Sequence, residues 1–295
     1  MNNYIVYLSF GSIDYYNETL FSILSFCKYH KNDAVHLLLY TDDVAFFKNK
    51  IEFHVTYHEI KVEQLKIWSG SCNFNHRSKI KVLEEVTTKY FGNFMFVDSD
   101  TYFVANCTPL FEHINNGAIV LDKCEGKLAD IRGGIAKKLR RFLKKENHFS
   151  TKSDDSVLFD EQFTMYNTGT IGFNSKYKSI LTKVLQLVDV LYPKCSLFIM
   201  EQVSFSYYLQ RETKPISSEK YIHHYWYFKE FRTVLAAFFE HNKATPFNQF
   251  LIECDKINPE QLSTEKRRYK AMTFWQKQFH KITKGRKWKI MDYEL

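Results

Sequence analysis

The sequence predicts an α/β protein whose mostly parallel sheet carries helices on both faces. Short, wholly apolar runs alternate with segments of helical period through the first hundred residues, the pattern of parallel strands joined by crossover helices. One run stops abruptly at Asp98-Ser99-Asp100, and ligands of open α/β sheets collect beyond the carboxyl ends of strands. With 295 residues and only 10 Gly and 5 Pro, there is room for one large domain and no disordered or collagen-like composition.

The elements follow in order. Tyr4 to Phe10 is an apolar run closed by Gly11-Ser12, which suits a buried strand. Tyr16 to Tyr29 places Leu20, Ile23, Leu24 and Cys27 at helical spacing. Ala34 to Tyr40 and Ile51 to Ile60 read as the second and third strands. Arg77 to Tyr90 reads as a helix with Ile80, Leu83 and Val86 on one side, and Phe94-Met-Phe-Val97 as a strand. The second half is less regular. Thr170 to Phe173 and Tyr221 to Trp226 suit strands, while Lys176 to Leu191 and Met200 to Gln210 suit helices. No repeat or linker interrupts the chain. One domain is expected over residues 1–260, followed by a basic, aromatic extension over 261–295.

Charge narrows the function classes. The net charge of +8 is local: Gln261 to Leu295 holds ten Lys/Arg against three Asp/Glu, and Lys123 to Glu146 nine against three. The remainder is slightly acidic, and no zinc-finger spacing, RNP-like strand or basic zipper accompanies the patches, so no nucleic-acid partner is expected. The aromatic share of 17% leaves rings to stack on a base or sugar after the core is filled. Cys27, Cys72, Cys107, Cys124, Cys195 and Cys254 are scattered with no CxxC pair, as in reduced thiols. No basic leader or cleavage site precedes the first strand, and no run is long enough to span a membrane, so a cytoplasmic chain is expected.

Asp98 and Asp100 offer hard carboxylate oxygens to Mg²⁺ or Mn²⁺. Alone, the tripeptide reads more readily as an Asp-rich turn after a strand. A haloacid-dehalogenase phosphohydrolase also ends a strand in DxD, but it would have Thr or Val where this chain has Tyr102, and its motif lies at the first strand.

With its surroundings, Phe94-Met-Phe-Val-Asp98-Ser-Asp100-Thr-Tyr-Phe103 resembles the DxD segment of the GT-A glycosyltransferases. It is most similar to the retaining family that includes glycogenin and bacterial lipopolysaccharide galactosyl- and glucosyltransferases. Further segments match in the expected order, from about Tyr4 to Phe231. In Arg77-Ser-Lys79-Ile-Lys81 the family places basic residues at the donor phosphates; Arg77 and Lys81 share a helical face, which a solvated helix start would also explain. Asn167-Thr168-Gly169 resembles the family's loop at the donor sugar, though an Asn-Thr-Gly turn before a strand reads the same. Glu201-Gln202 corresponds to the acidic-Gln pair beneath the anomeric carbon, with Glu where Asp is usual.

Ile222-His223-His224 with Lys229 matches the family's Ile-His and a Lys six residues after the His. The resemblance makes His223 the third metal ligand, with His224 the alternative, and sets Lys229 on the diphosphate. Trp226 stands where Gly is usual. Ser9, Asp14 and Tyr15 (or Tyr16) fall where the family holds base and ribose, which favours uridine; Asp42 after the second strand lines the same pocket or is simply an Asp-Asp turn, and Ser99 lies within the metal motif. The resemblance thus implies a hexosyltransferase using a UDP-sugar and Mn²⁺ or Mg²⁺ with retention, toward a glycan or lipid-linked acceptor. An inverting relative would need a base, for which Asp160 or Glu161 stands available.

The amphipathic stretches Gly134 to Lys145 and Tyr269 to Lys289 combine basic and apolar residues. Each suits either an anionic membrane surface or packing on its own domain. Two other classes remain: a sugar-nucleotidyltransferase, which would carry a glycine-rich loop where only Gly11 is present, and a non-catalytic nucleotide- or glycan-binding relative.

Overall fold

The computed structural model describes residues 1–30, 35–153, 156–285 and 287–293. Its strands, among the described residues, are β1 (Asn3–Ser9), β2 (Val35–Thr41), β3 (Val55–Glu59), β4 (Asn93–Val97), β5 (Thr101–Phe103), β6 (Val120–Lys127), β7 (His148–Ser150), β8 (Ser156–Leu158), β9 (Thr164–Asn174), β10 (Ile216–Ser217) and β11 (Ile222–His224). Seven of them form one sheet in the order β10-β6-β9-β4-β1-β2-β3. The β1–β2, β2–β3, β1–β4 and β6–β10 pairs are parallel, and β9 runs antiparallel between β4 and β6.

Side chains alternate across each strand, and both faces are buried. Tyr4 and Val6 of β1 join Leu38, Phe94 and Phe96 in one core layer; Ile5 and Tyr7 join Leu37, Leu39, Met95 and Val97 in the other. Helices Arg77–Lys89, Ser179–Lys194 and Met200–Glu212 cover the first layer. Helices Ile13–Tyr29, Phe231–His241 and Phe247–Glu253 cover the second. Burial on both faces is why the strands read as unbroken apolar runs.

The order also locates the site. From β1 the sheet grows through β2 to β3, then returns to add β4 on the other side of β1. The carboxyl ends of β1 and β4 therefore flank a topological switch point, where a crevice opens. Asp98 follows β4 there, and the Ile13–Tyr29 helix, with Tyr15 in its first turn, follows β1.

Several expectations need correcting. The strand expected at Thr170 to Phe173 is 11 residues long, so Asn167-Thr168-Gly169 lies inside β9 and not in a loop. Pairing with both β4 and β6 supplies the ladder that extends it. The third strand shortens to Val55–Glu59, and the Lys176 helix starts at Ser179 after a short 3₁₀ turn. Ala34, expected to begin β2, and Arg286, Glu294 and Leu295 of the extension lie outside the described residues.

The two amphipathic stretches differ. Helix Gly134–Lys145 buries Ala136, Leu139 and Leu143 in the core and turns its lysines outward. Helix Phe274–Lys284 buries nothing: Phe274, Trp275, Phe279 and Ile282 are 65–82% exposed. Beyond it the chain returns, with Trp288, Ile290 and Tyr293 against the second core layer and the Met291 N–H bonded to the Leu262 carbonyl at 3.2 Å. Lys266 Nζ stands 4.6 Å from the Trp288 ring centroid. Trp288→Ala should therefore destabilise the protein by about 1–3 kcal/mol in urea melts. Trp275→Ala should stay within about 0.5 kcal/mol of wild type; equal effects would contradict the split described for the extension.

Candidate active site

A cleft of about 1180 Å³ opens at the switch point, lined among others by Tyr15, Lys79, Asp98, Ser99, Asp100, Glu125, Asn167, Thr168, Gly169, Glu201, Gln202, His224, Trp226, Lys229 and Arg232. Its centre is the bend between β4 and β5. The Thr101 hydroxyl closes that bend by donating to the Asp98 carbonyl at 2.8 Å, and the Asp98 N–H donates to the Gly169 carbonyl at 2.8 Å.

β5 pairs antiparallel with β11, setting Thr101 opposite His224 and Tyr102 opposite His223. Neighbouring strand residues point to opposite sides, so one histidine faces the carboxylates. It is His224: Nε2 lies 3.2 Å from Asp100 Oδ1, and Nδ1 lies 3.0 Å from Asp122 Oδ2 and 3.1 Å from Asn167 Oδ1. His223, expected as the ligand, points away to the Tyr227 hydroxyl at 3.4 Å. Asp98, Asp100 and His224 bring ligand atoms within 4.8 Å of one another. Burial works against charge on both Asp100 and His224, yet each holds the other ionised: the imidazolium and Lys229 push the Asp100 carboxyl well below its ordinary range, and the carboxylates push His224 up.

Lysines supply the opposing charge. Lys229 Nζ donates to Asp100 Oδ2 at 2.7 Å. Lys79, 7% exposed, reaches Asp98 Oδ1 at 2.8 Å, the Thr168 carbonyl at 3.0 Å and Glu201 Oε1 at 3.4 Å. Burial disfavours its charge, but the two carboxylates outweigh that and raise its pKa. Arg77 and Lys81 sit on the other side of their helix. Arg77 makes a bidentate pair with Asp189 at 2.7 and 3.1 Å, and Lys81 pairs with Glu84 at 2.5 Å. Neither lines the cleft; the basic residue this helix sends inward is Lys79, on the arc of Leu83 and Val86.

Glu201 and Gln202 open the Met200–Glu212 helix. Glu201 Oε2 accepts from the Thr168 hydroxyl at 3.1 Å, and Gln202 donates to Glu125 Oε2 at 2.9 Å. Asn167 donates to the same Glu125 at 3.3 Å and accepts from the Gly169 N–H at 2.9 Å. Asp160 and Glu161 lie outside the cleft, with Asp160 accepting from the Gln162 N–H at 2.8 Å; the further carboxylate inside it is Glu125.

At the other end, Tyr15 lines the cleft with Arg232 Cζ 4.8 Å from its ring centroid. Arg232 is held by a bidentate pair with buried Glu18 at 3.0 Å to each oxygen, and its Nη1 lies 3.8 Å from Asp14. Ser9 and Asp42 brace the start of the Ile13–Tyr29 helix from behind. The Ser9 hydroxyl donates to the Tyr15 carbonyl at 3.3 Å. Asp42 accepts from the Gly11 N–H at 3.0 Å and the Tyr16 hydroxyl at 2.8 Å. Gly11 has φ +83°, which a residue with a side chain rarely adopts.

Lys79, Asp122, Glu125 and Arg232 were not singled out from sequence. Asp122 had a signal: Ala118-Ile-Val-Leu-Asp122 repeats the apolar run ending in Asp seen at Phe94 to Asp98.

Burial pushes the Glu201 carboxyl up to about 7, with Lys79 only partly opposing it. A raised carboxyl contributes stability that is fully present below its ordinary pKa of 4.5 and lost as pH rises through about 7. Glu201→Gln removes that titration, so between about pH 5 and 8 the melting temperature of wild type should fall more than that of the variant. Parallel profiles would contradict the burial effect.

No family model matches the chain, and no curated protein matches it. Among solved structures, the galactosyltransferase LgtC in complex with donor and acceptor sugar analogues is similar, with TM-score 0.52, 11% identity, and coverage of 79% of this chain and 95% of that one. An active-site mutant of LgtC gives the same values. Mouse xyloside xylosyltransferase 1 is also similar, at TM-score 0.48 and 14% identity, covering 73% of this chain and 84% of that one. Element order, switch point and superposition together give this chain the GT-A fold.

Proposed function

We propose that this chain is a metal-dependent glycosyltransferase that moves a hexose from a UDP-sugar to a glycan or lipid-linked acceptor, with retention at the anomeric carbon. The observation that carries the reading is the Asp98, Asp100 and His224 grouping at the switch point of this fold. Two carboxylates and an imidazole suit Mn²⁺, and with fewer soft ligands Mg²⁺. His224 Nδ1 already faces two acceptors, so the proton stays there and Nε2 is the ligating nitrogen. Bound there, the metal supplies Lewis-acid stabilisation of the departing diphosphate.

The chain's own groups do the rest. Tyr15, backed by Arg232, offers a ring for the uracil. Lys229 sits beside the diphosphate as a fixed positive charge. Glu201 and Gln202 lie beneath the sugar, where Thr168 and Glu125 orient them. The anomeric C–O bond to UDP breaks, the acceptor oxygen forms its bond to that carbon on the same face, and the acceptor's proton passes to the departing phosphate oxygen.

UDP-sugar hydrolysis with Mn²⁺, compared between wild type and Asp100→Ala, tests this. Loss of several kcal/mol of charge stabilisation is a rate loss of roughly 100-fold or more. Equal turnover would sink the metal assignment, and no turnover with any donor would favour a binding module.

A peripheral membrane contact belongs to the same reading. No helix among the described residues is long and apolar enough to cross a membrane. The bare apolar side of helix Phe274–Lys284 is flanked by Lys277, Lys281 and Lys284, the chemistry of an anionic bilayer surface. Vesicles with anionic lipid should pellet the wild type, and Phe279→Glu/Ile282→Glu should abolish that without changing the melting temperature by more than a few degrees. Pelleting of the double variant at wild-type levels would exclude this helix as the contact.

A further inference from the structure

Asp122 is 3% exposed, and it does not line the cleft. It sits at a register break between Leu121 and Lys123 in the β6–β9 pairing, and such bulges re-aim a side chain. The Ser217 hydroxyl and the Ser218 N–H fix the bulge by donating to the Asp122 carbonyl at 2.7 and 3.1 Å. Among the described residues, the hydrogen-bond partner of its carboxylate is His224 Nδ1 at 3.0 Å. A carboxylate buried for one imidazole contributes little to stability that an apolar residue would not match.

Gly169 completes the arrangement. A Cβ built there would lie 2.1 Å from His224 Nδ1 and 2.4 Å from Cε1, so the imidazole occupies the space a side chain would fill. Asn167, two residues earlier, bonds both the Gly169 N–H and His224 Nδ1 through the same oxygen.

We propose that Asp122 is the positioning residue of the third metal ligand, and that Gly169 is the gap in which that ligand's ring is seated. Asp122 holds Nδ1–H and thereby directs Nε2 at Asp100, an outer carboxylate that fixes both tautomer and ring orientation. Asn167 and Gly169 thus serve the histidine, where the resemblance assigned them to the donor sugar. This rests on the Asp98–Asp100–His224 metal reading.

The test is Mn²⁺ affinity without nucleotide, read from the electron paramagnetic resonance of free Mn²⁺, on the full chain. Asp122→Leu should weaken binding on the order of 10–100-fold while melting near wild type. Asp122→Asn keeps an acceptor oxygen and should recover most of that affinity, so that the loss in Asp122→Leu follows the acceptor and not the net charge. Gly169→Ala should weaken binding as Asp122→Leu does. Should Asp122→Leu not fold, Asp122→Ser, too short to reach Nδ1, takes its place. Wild-type affinity in Asp122→Leu, or no recovery in Asp122→Asn, with binding lost in Asp100→Ala, overturns the proposal and leaves the metal site standing. Wild-type affinity in Asp100→Ala overturns the metal site and this inference with it.

Discussion

Two carboxylates at the end of β4, one of them buried, are the constraint around which the centre of this molecule is arranged. An ion taken from water into a protein interior loses several kcal/mol of solvation unless opposite charge and hydrogen bonds replace it. Asp98 and Asp100 are one residue apart, so their repulsion adds to that penalty. The replacement comes from parts of the chain far apart in sequence: Lys79 on Asp98, and His224 and Lys229 on Asp100. Each must arrive within hydrogen-bonding distance, so the sheet, the Arg77–Lys89 helix and the β11 segment are all bound to one point.

That dependence propagates outward. Lys79 touches Glu201 as well as Asp98, but one ammonium cannot neutralise two carboxylates, and the nearer takes the closer contact. Glu201 keeps only the longer 3.4 Å ion pair at its Oε1, and burial pushes its carboxyl up. β9 links the two halves. Its Thr168 holds Glu201 through the hydroxyl and Lys79 through the carbonyl, while the neighbouring Gly169 admits the His224 ring. Thr168 thus ties the Lys79–Glu201 pair to the strand while Asn167 and Gly169 meet His224, so three consecutive β9 residues serve both sides of the cleft.

The sequence shows the sheet well where burial is symmetric. β1, β2 and β4 are covered on both faces and appear as apolar runs that no loop would contain. β6 escapes notice because its outer half, Lys123 to Lys127, is exposed or half-buried and its register breaks twice, so neither alternation nor an apolar run survives. Asn167-Thr168-Gly169 reads as a turn because Asn and Gly are turn formers; in the strand, the Asn side chain instead bonds the Gly N–H locally. Lys79 is hidden because a lysine in a helix normally faces water. Its place on the arc of Leu83 and Val86 is the sign that it does not.

The choice between the two histidines shows what spacing alone lacks. Counting back six residues from Lys229 selects His223, and nothing in the local sequence objects. What decides is the β5–β11 pairing, which sets His224 opposite Thr101 and sends adjacent side chains to opposite sides. Once His224 is inside, an acceptor must stand behind Nδ1, and a residue without a Cβ must stand beside the ring. Both requirements fall on strands β6 and β9, whose positions relative to β11 exist only in the folded sheet. The histidine that faces the carboxylates can therefore be named from sequence to within one residue, while the groups around its ring become visible only when the strands are paired.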